Sequence, residues 1–521
     1  MRRTRRDFLR ESSLAAGFGP LAASDLPAAP ARGRPNPLRI DPAPLFPISP
    51  YLYMQFMEPL GVTDGSVEAA WDYDADNWRE DFVATVADLA PDVIRFGGLF
   101  SRYYKWREGV GPADARPLMR NYVWGGKETN RIGTGEVIDL CRQAGAEPLF
   151  CVNFLGDGRQ DYTRTREGNR TGDAREAADW VSYANDPDDR ERRRHGVPEP
   201  YGVKLWQIGN ETSYGNDGFT KGEAIARTIE FARAMRARDG SIRLIGWGDR
   251  GRTDDPSLWA ADMLERAGEH LDYVAIHMMQ QRPARPDSVL LDLRYQREPE
   301  RAWEELLELS RGIEARLVEL ERVLAGKGAA TGIAVTEGHL SLAPHNANPI
   351  LTEWLTGVYH ARAMNIYQRH GARVKVATAA DFNGTRWTVV AVRLQVPRGV
   401  SYLTPVGSVM RLFKRHNGRE AVAVPAAPPD LDIAASRTGD RVFLHVANLR
   451  YDRSVEAAFA VDGRTIVGGR VLEIAPEDLR QAVSQDQPDV FAPREKPLAA
   501  DPDAVWRFPA ASVSVVELDL A

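Results

Sequence analysis

From residue 51 onward, short apolar runs alternate with longer stretches in which apolar side chains recur every three or four positions. The runs of strand length are 51–58, 92–98, 147–154, 203–210, 242–249, 271–278, 332–338 and 372–382. The stretches between them, among them 79–89, 135–145, 175–184, 223–238, 257–270, 302–326 and 351–371, read as amphipathic helices, because a helix stacks positions three and four apart on one face. Strands that are each followed by a helical or long irregular connection predict an α/β chain, a (β/α)8 TIM barrel over residues 51–395. A doubly wound open sheet is the runner-up. It lacks support because no Gly-rich phosphate loop follows the first strand, and the glycines of "GTGEVIDLC" read better as a helix start.

Past residue 395 the period changes to two. "RVFLHVANL", "SVEAAFAV", "RVLEIAP" and "ASVSVVELDL" alternate apolar and polar positions between Gly, Asp and Pro turns, which predicts a C-terminal β-sandwich over 396–521. The short "NPLRI" before the barrel, within a segment reaching to about residue 50 (38–50), is expected to add an N-terminal strand to it.

Composition narrows the function classes. With 521 residues, the chain has room for a barrel and a smaller second domain. A net charge of −6 gives no basic excess to argue for nucleic acid, and no apolar run has the length of a membrane span. The 12 Trp and 16 Tyr include faces suited to stacking on sugar rings, though most such rings belong to cores. Cys141 and Cys151 lie in apolar segments and read as buried thiols, not as a disulfide framework. At the start, "TRRDFLR" precedes a mildly apolar stretch and a Pro/Ala-rich one. The order matches a twin-arginine export signal over residues 1–31, with Ala29-Pro30-Ala31 as a candidate cleavage site and the periplasm or the exterior as destination.

The chemistry starts from "WQIGNETSYG", where an apolar strand emerges onto Asn210-Glu211. Such a pair costs free energy to desolvate and contributes little to packing. In a barrel, functional groups collect at the C-terminal ends of the strands. Glu211 follows the fourth strand and Glu337 ends the seventh, so both are expected to project into the same mouth. Two carboxyls flanking one bond are what glycoside hydrolysis needs: one protonated to hand a proton to the leaving oxygen, the other ionised to attack. An amide beside the acid, Asn210, is placed to hydrogen-bond the hydroxyl next to the anomeric carbon. The alternative for an isolated Asn-Glu pair is a helix cap or a solvated loop. Glu337, His339 and His345 match no zinc spacing, no Gly-x-Ser-x-Gly elbow is present, and neither a metal nor a cofactor is expected.

Three segments, "RFGGLFSRYYKWREGVGP" (95–112), "HGVPEPYGVKLWQIGNE" (195–211) and "IAVTEG" (333–338), resemble the family 51 glycoside hydrolases, retaining α-L-arabinofuranosidases of a large (β/α)8 clan. "MQFMEPLG", "GAEPLFCVNF" and "TPVGSVMRLFKRHNG" fit the same comparison. The resemblance implies Glu211 as acid/base and Glu337 as nucleophile, with Glu58, Arg95, Asn210, Trp106 and His277 around the sugar. Arg95 would hold the nucleophile ionised, while nearby negative charge keeps Glu211 protonated. Arg95 as a structural ion pair and Trp106 as core are the alternatives for those two residues. The resemblance also points toward a homo-oligomer, on which the residues themselves are silent. Several positions depart from the family pattern. Leu99 stands where a sugar-binding Asn is expected, His277-Met278-Met279 where the family has His-x-Tyr, Gly338 where an aromatic follows the nucleophile, and Ala380 where a Gln is expected. Another exo-glycosidase of the clan, a β-xylosidase or galactofuranosidase, and a carbohydrate-binding barrel without activity are therefore the competing readings.

Overall fold

The computed structural model describes residues 36–521 except 215–217, 252–256, 281, 282, 284, 328, 329, 345–347, 380, 387–389 and 398. The export segment, His345 and Ala380 lie outside the described residues. Each apolar run of the first part becomes a strand: β1 Met54–Met57, β2 Val93–Phe96, β3 Glu147–Val152, β4 Leu205–Ile208, β5 Arg243–Trp247, β6 Tyr273–His277, β7 Gly332–Glu337 and β8 Val374–Ala377. They pair in parallel in chain order, and a parallel bridge between Tyr53 and Ala377 joins the last strand to the first. The ring is closed, which leaves no exposed edge. Their burial is near-complete on both faces, as a parallel sheet jacketed by helices requires.

A long helix follows each strand, beside shorter ones in some connections: α1 Glu80–Leu89, α2 Thr134–Ala144, α3 Ala174–Asn185, α4 Lys221–Arg236, α5 Ala260–Ala267, α6 Pro299–Gly326, α7 Gly357–Arg369 and α8 Pro405–Arg415. Side-chain caps start several of them. Asp173 accepts from Glu176 N at the head of α3, and Thr220 and Glu223 form a capping box on α4. Helix α8 packs on α1, with Arg411 paired to Asp88 and Lys414 to Asp92. The barrel's helical ring thus runs to Arg415, later than the change of period near 395 suggested. Sequence alternation marks where the sandwich strands begin, not where the last barrel helix ends.

The second domain is built on a nine-stranded sheet whose strands run Arg494–Leu498, Ile466–Ile474, Val513–Leu520, Arg441–Asn448, Leu431–Thr438, Glu420–Ala426, Asn36–Pro47, Val455–Val461 and Val505–Phe508 in spatial order. Strand Asn36–Pro47 pairs antiparallel with Glu420–Ala426 through several register shifts and parallel with Val455–Val461. Its bulges bend it, which lets one strand serve two partners at a corner of the sandwich. Leu38, Ile40, Val442, Leu444, Phe459 and Phe508 lie in the sandwich core. The two domains meet along α7. There the buried Asp432 accepts from Asn365 Nδ2 (2.9 Å) and Arg369 NH1 (3.0 Å) and lies 3.3 Å from Arg362 Nε. The sandwich thereby braces the barrel on the side of β7 and β8, and leaves the C-terminal mouth to the loops.

Candidate active site

The mouth is organised by Arg95, which points inward from β2 and has a side-chain exposure of 0%. Its guanidinium reaches four groups. Nε donates to Gln207 Oε1 (2.8 Å), NH2 to Asn210 Oδ1 (2.6 Å), and NH1 to Glu337 Oε1 (3.1 Å) and the Thr336 carbonyl (3.4 Å). A buried cation needs such a set of acceptors, and the planar fork supplies the geometry. The bond to Asn210 Oδ1 also fixes that amide's orientation. Asn210 Nδ2 is left buried without a hydrogen-bond partner, a donor available to a sugar hydroxyl.

Two adjacent glycines explain the "RFGG" run. A Cβ at Gly97 would stand 2.8 Å from Arg95 Cζ, and one at Gly98 would stand 2.2 Å from Glu58 Oε2. Gly98 also has a left-handed φ of 109°. Glu58 Oε1 accepts from the Phe100 amide (3.1 Å) and from Trp124 Nε1 (3.0 Å). Burial, reinforced by the charge of Glu337, pushes the Glu58 carboxyl up to about 8, so it is a neutral acid over most of the physiological range.

Strand β4 ends in a tight reversal. Gly209 has φ 77° and Glu211 has φ 54°, and the Tyr214 amide closes back on the Glu211 carbonyl at 3.0 Å. A glutamate held in the left-handed region is uncommon and is the kind of local strain found at working sites. Ser213 pins the turn, donating to the Arg250 carbonyl (2.7 Å) and accepting from Trp247 Nε1 (2.8 Å). On the opposite side a bulge between β6 and β7 places Glu337 in register with His277, and the Met278 amide donates to the Glu337 carbonyl (2.8 Å).

His277 stands between the two acids. Its Nδ1 is 3.1 Å from Glu211 Oε1 and 3.5 Å from Glu337 Oε2. One ligand atom from each of the three side chains lies within 4.8 Å of the others. The two carboxyls are thus close enough to flank a single bond, as the short separation in retaining glycosidases requires. The imidazole is seated edge-on against Trp247 (4.6 Å between ring centres). Asp249 accepts from the His277 amide (3.1 Å) and from Arg316 NH2 (2.6 Å), and Arg316 NH1 donates to the His277 carbonyl (2.8 Å). The same three groups, Glu211, His277 and Glu337, are also a set able to converge on a cation. Each carboxylate already faces a guanidinium, Arg95 at 3.1 Å and Arg102 at 3.5 Å, so a divalent ion would enter against two fixed positive charges.

The structure therefore brings Glu58, Arg95, Asn210, Glu211, His277 and Glu337 together at one mouth. It places Trp106 elsewhere. That indole stacks on Trp180 (6.0 Å, 3°), packs against Tyr183 and donates from Nε1 to the Glu176 carbonyl, within the layer between barrel and α3. Trp106 is core, and Trp124 is the indole that reaches the carboxyl of Glu58. Trp124 sits in the long β2–α2 connection, which has no periodicity to read. Arg102, Gln207 and Asp249 were missed for a different reason. Their charge or amide becomes meaningful only once strands distant in sequence are neighbours.

Three comparisons bear on this geometry. The model of the alpha-L-arabinofuranosidase 1 domain matches residues 85–296. Alpha-L-arabinofuranosidase C of Emericella nidulans is 35% identical over 216 residues, 40% of either chain. An intracellular exo-alpha-(1->5)-L-arabinofuranosidase of Acetivibrio thermocellus is 32% identical over 240 residues, 43% of this chain and 44% of its own. Those matches span less than half of each relative's length. Over the whole fold, the family 51 alpha-L-arabinofuranosidase of Thermotoga petrophila superposes with a TM-score of 0.73 at 25% identity, covering 93% of this chain and all of its own. The arabinose complex of the Thermotoga maritima alpha-L-arabinofuranosidase superposes with a TM-score of 0.77 at 24% identity, over 93% and 100% of the two chains, a likeness of fold.

The chain resembles the family 51 arabinofuranosidases in fold over 93% of its length, and residues 85–296 match the arabinofuranosidase domain in sequence. Against that family's pattern, one departure has a visible steric cause. A Cβ at Gly338 would stand 2.3 Å from the Thr378 carbonyl oxygen, so β7 and β8 approach too closely here for the family's aromatic.

Proposed function

We propose that the chain is a retaining, exo-acting glycoside hydrolase that removes α-L-arabinofuranosyl groups. The carrying observation is the facing pair, Glu211 from β4 and Glu337 from β7, bridged by one imidazole with one guanidinium on each outer oxygen. In the first step the Glu337 carboxylate attacks the anomeric carbon. The bond to the aglycone oxygen breaks, and Glu211 gives that oxygen its proton. In the second step Glu211, now a carboxylate, takes a proton from the water that attacks the anomeric carbon, and the ester to Glu337 breaks. Asn210 Nδ2 hydrogen-bonds the hydroxyl beside the reacting carbon, and the neutral Glu58 is a donor to another hydroxyl. A module that only bound sugar would have no use for two buried acids held at this separation.

The assignment of sugar rests on the relatives, while Leu99 and Gly338 remove contacts the family pattern supplies. A β-xylosidase or galactofuranosidase is the second reading on that ground. Hydrolysis of a panel of 4-nitrophenyl glycosides, α-L-arabinofuranoside included, tests both. Turnover of the arabinofuranoside alone supports the first reading, and preference for another sugar selects the second. The "TRRDFLR" run further supports export through the twin-arginine route to the periplasm. Replacing Arg5 and Arg6 with Lys and following the protein by cell fractionation tests this.

A further inference from the structure

Glu211 is approached by a charged pair, Arg102 and Asp157, from the loops after β2 and β3. Arg102 ends the short turn Leu99–Arg102 after β2 and is buried. Its guanidinium forms a close ion pair with Asp157, and its NH2 stands 3.5 Å from Glu211 Oε2. Asp157 belongs to the turn Leu155–Gly158 after β3 and is also buried, with a left-handed backbone (φ 55°). Three loops, after β2, β3 and β4, thus each supply one member of the row Asp157, Arg102, Glu211. Among the described residues, titratable groups facing Glu211 also include His277 from β6, Glu337 from β7 through the shared imidazole, and Tyr214, whose hydroxyl donates to Asp249. Burial pushes the Asp157 carboxyl up to about 6, although Arg102 and Arg159 pull it down.

We propose that Arg102 and Asp157 act together as a positioning pair for the acid/base: Arg102 holds Glu211 Oε2 in place, and Asp157 offsets the charge that Arg102 would otherwise impose on it. The proposal rests on the reading of Glu211 as acid/base. A lone buried guanidinium beside a carboxyl favours its ionised form, which is wrong for a group that must deliver a proton. A guanidinium already clamped by an aspartate presents a nearly neutral partner that keeps its directionality. Glu211 stays able to carry its proton in the first step, and Arg102 steadies the carboxylate that must accept one from water in the second. Removing either member therefore moves the titration of Glu211, in opposite directions.

The test is the pH dependence of kcat/KM on the phenyl glycoside of the sugar that the panel identifies, a substrate whose leaving group needs the acid. Wild type, Asp157→Asn, Arg102→Met and the double variant are compared, each checked for cooperative thermal unfolding. Asn fits the left-handed position, and it leaves the full charge of Arg102 on Glu211. The basic limb is expected to fall by about one pH unit. Arg102→Met removes the cation from beside Glu211 Oε2 and is expected to raise the limb by about one unit. The double variant is expected to lie above Asp157→Asn, because the unbalanced cation is gone. If Arg102→Met fails to fold, Arg102→Lys takes its place; a shorter, mobile ammonium is expected to move the limb in the same sense as Met by less. A limb that stays put in Asp157→Asn, or that moves the same way in both single variants, overturns the pairing. Glu211→Ala separates the two ideas. If it retains turnover of the phenyl glycoside, the acid/base reading falls; if it loses turnover while the limb stays put in the other variants, only the pairing falls. Silence of the wild type on every glycoside overturns both.

Discussion

Glu337 and Glu211 are the same side chain, face each other across one mouth and share His277, yet they are supported differently. On the Glu337 side, Arg95 spends its other hydrogen bonds on neutral acceptors: Gln207, Asn210 and the Thr336 carbonyl. Among the described residues its ion-pair partner is Glu337, while burial raises the neighbouring Glu58 carboxyl to about 8. On the Glu211 side, Arg102 is already paired with Asp157 before it meets the acid. An undivided cation suits a nucleophile that must be ionised, whereas a divided one suits an acid that must hold and release a proton. Roles are set by what surrounds a carboxyl, and two identical groups can be driven apart within a few ångströms.

The largest effect should come from removing Glu337, the proposed nucleophile. Glu337→Ala is expected to lower kcat on any glycoside by on the order of 10⁴-fold or more, read by steady-state kinetics. Glu211→Ala should split by leaving group. A phenyl glycoside is expected to lose roughly 10²–10⁴-fold, and a dinitrophenyl glycoside, which needs no proton, far less in its first step. Equal losses on both would erase the distinction between the sides.

Arg95→Lys comes next. One ammonium cannot span Gln207, Asn210 and Glu337 at once, so kcat/KM is expected to fall on the order of 10²-fold. Arg102→Lys, whose wild-type contact with Glu211 is the longer one at 3.5 Å, should fall by less. The reverse order would contradict the asymmetry.

The smallest effect is on stability. Glu58 is raised from 4.5 to about 8 in the folded chain, so between those values the folded protein holds a proton that the unfolded chain has released. The stability it contributes is full below the lower value and is lost as pH rises through the upper one. Glu58→Gln cannot titrate. Its melting temperature relative to wild type should therefore rise between about pH 5 and about pH 8, as thermal unfolding would show. A constant difference across that range would mean Glu58 is ionised throughout.

Much of this asymmetry was legible in residues and part was not. The eight strands could be read because parallel barrel strands are continuous apolar runs, and Glu211 and Glu337 because an acid at a strand's end has no packing role. Arg95 could be read from the run in which it sits. Trp106 was ambiguous because an indole in a loop has the same sequence signature whether it lines a pocket or, as here, stacks on Trp180. Arg102 lies within the same quoted run as Arg95, but its meaning depends on Asp157, which stands in a turn after a different strand. The α8 boundary was unreadable for a related reason. Helix Pro405–Arg415 belongs to the barrel through its contacts with α1, whereas short strands precede it and the sandwich strands resume directly after it at Glu420.

What most separates the two carboxyls is their proposed role, Glu337 as nucleophile and Glu211 as acid/base. The most direct measurement is the anomeric configuration of the glycosyl azide formed when each alanine variant turns over an activated glycoside in the presence of azide, read by NMR. In Glu211→Ala, azide should intercept the ester on Glu337 and give the substrate's own configuration. In Glu337→Ala, azide should occupy the vacated place of the carboxylate and give the opposite one. The same configuration from both variants, or the two reversed, would contradict the assignment.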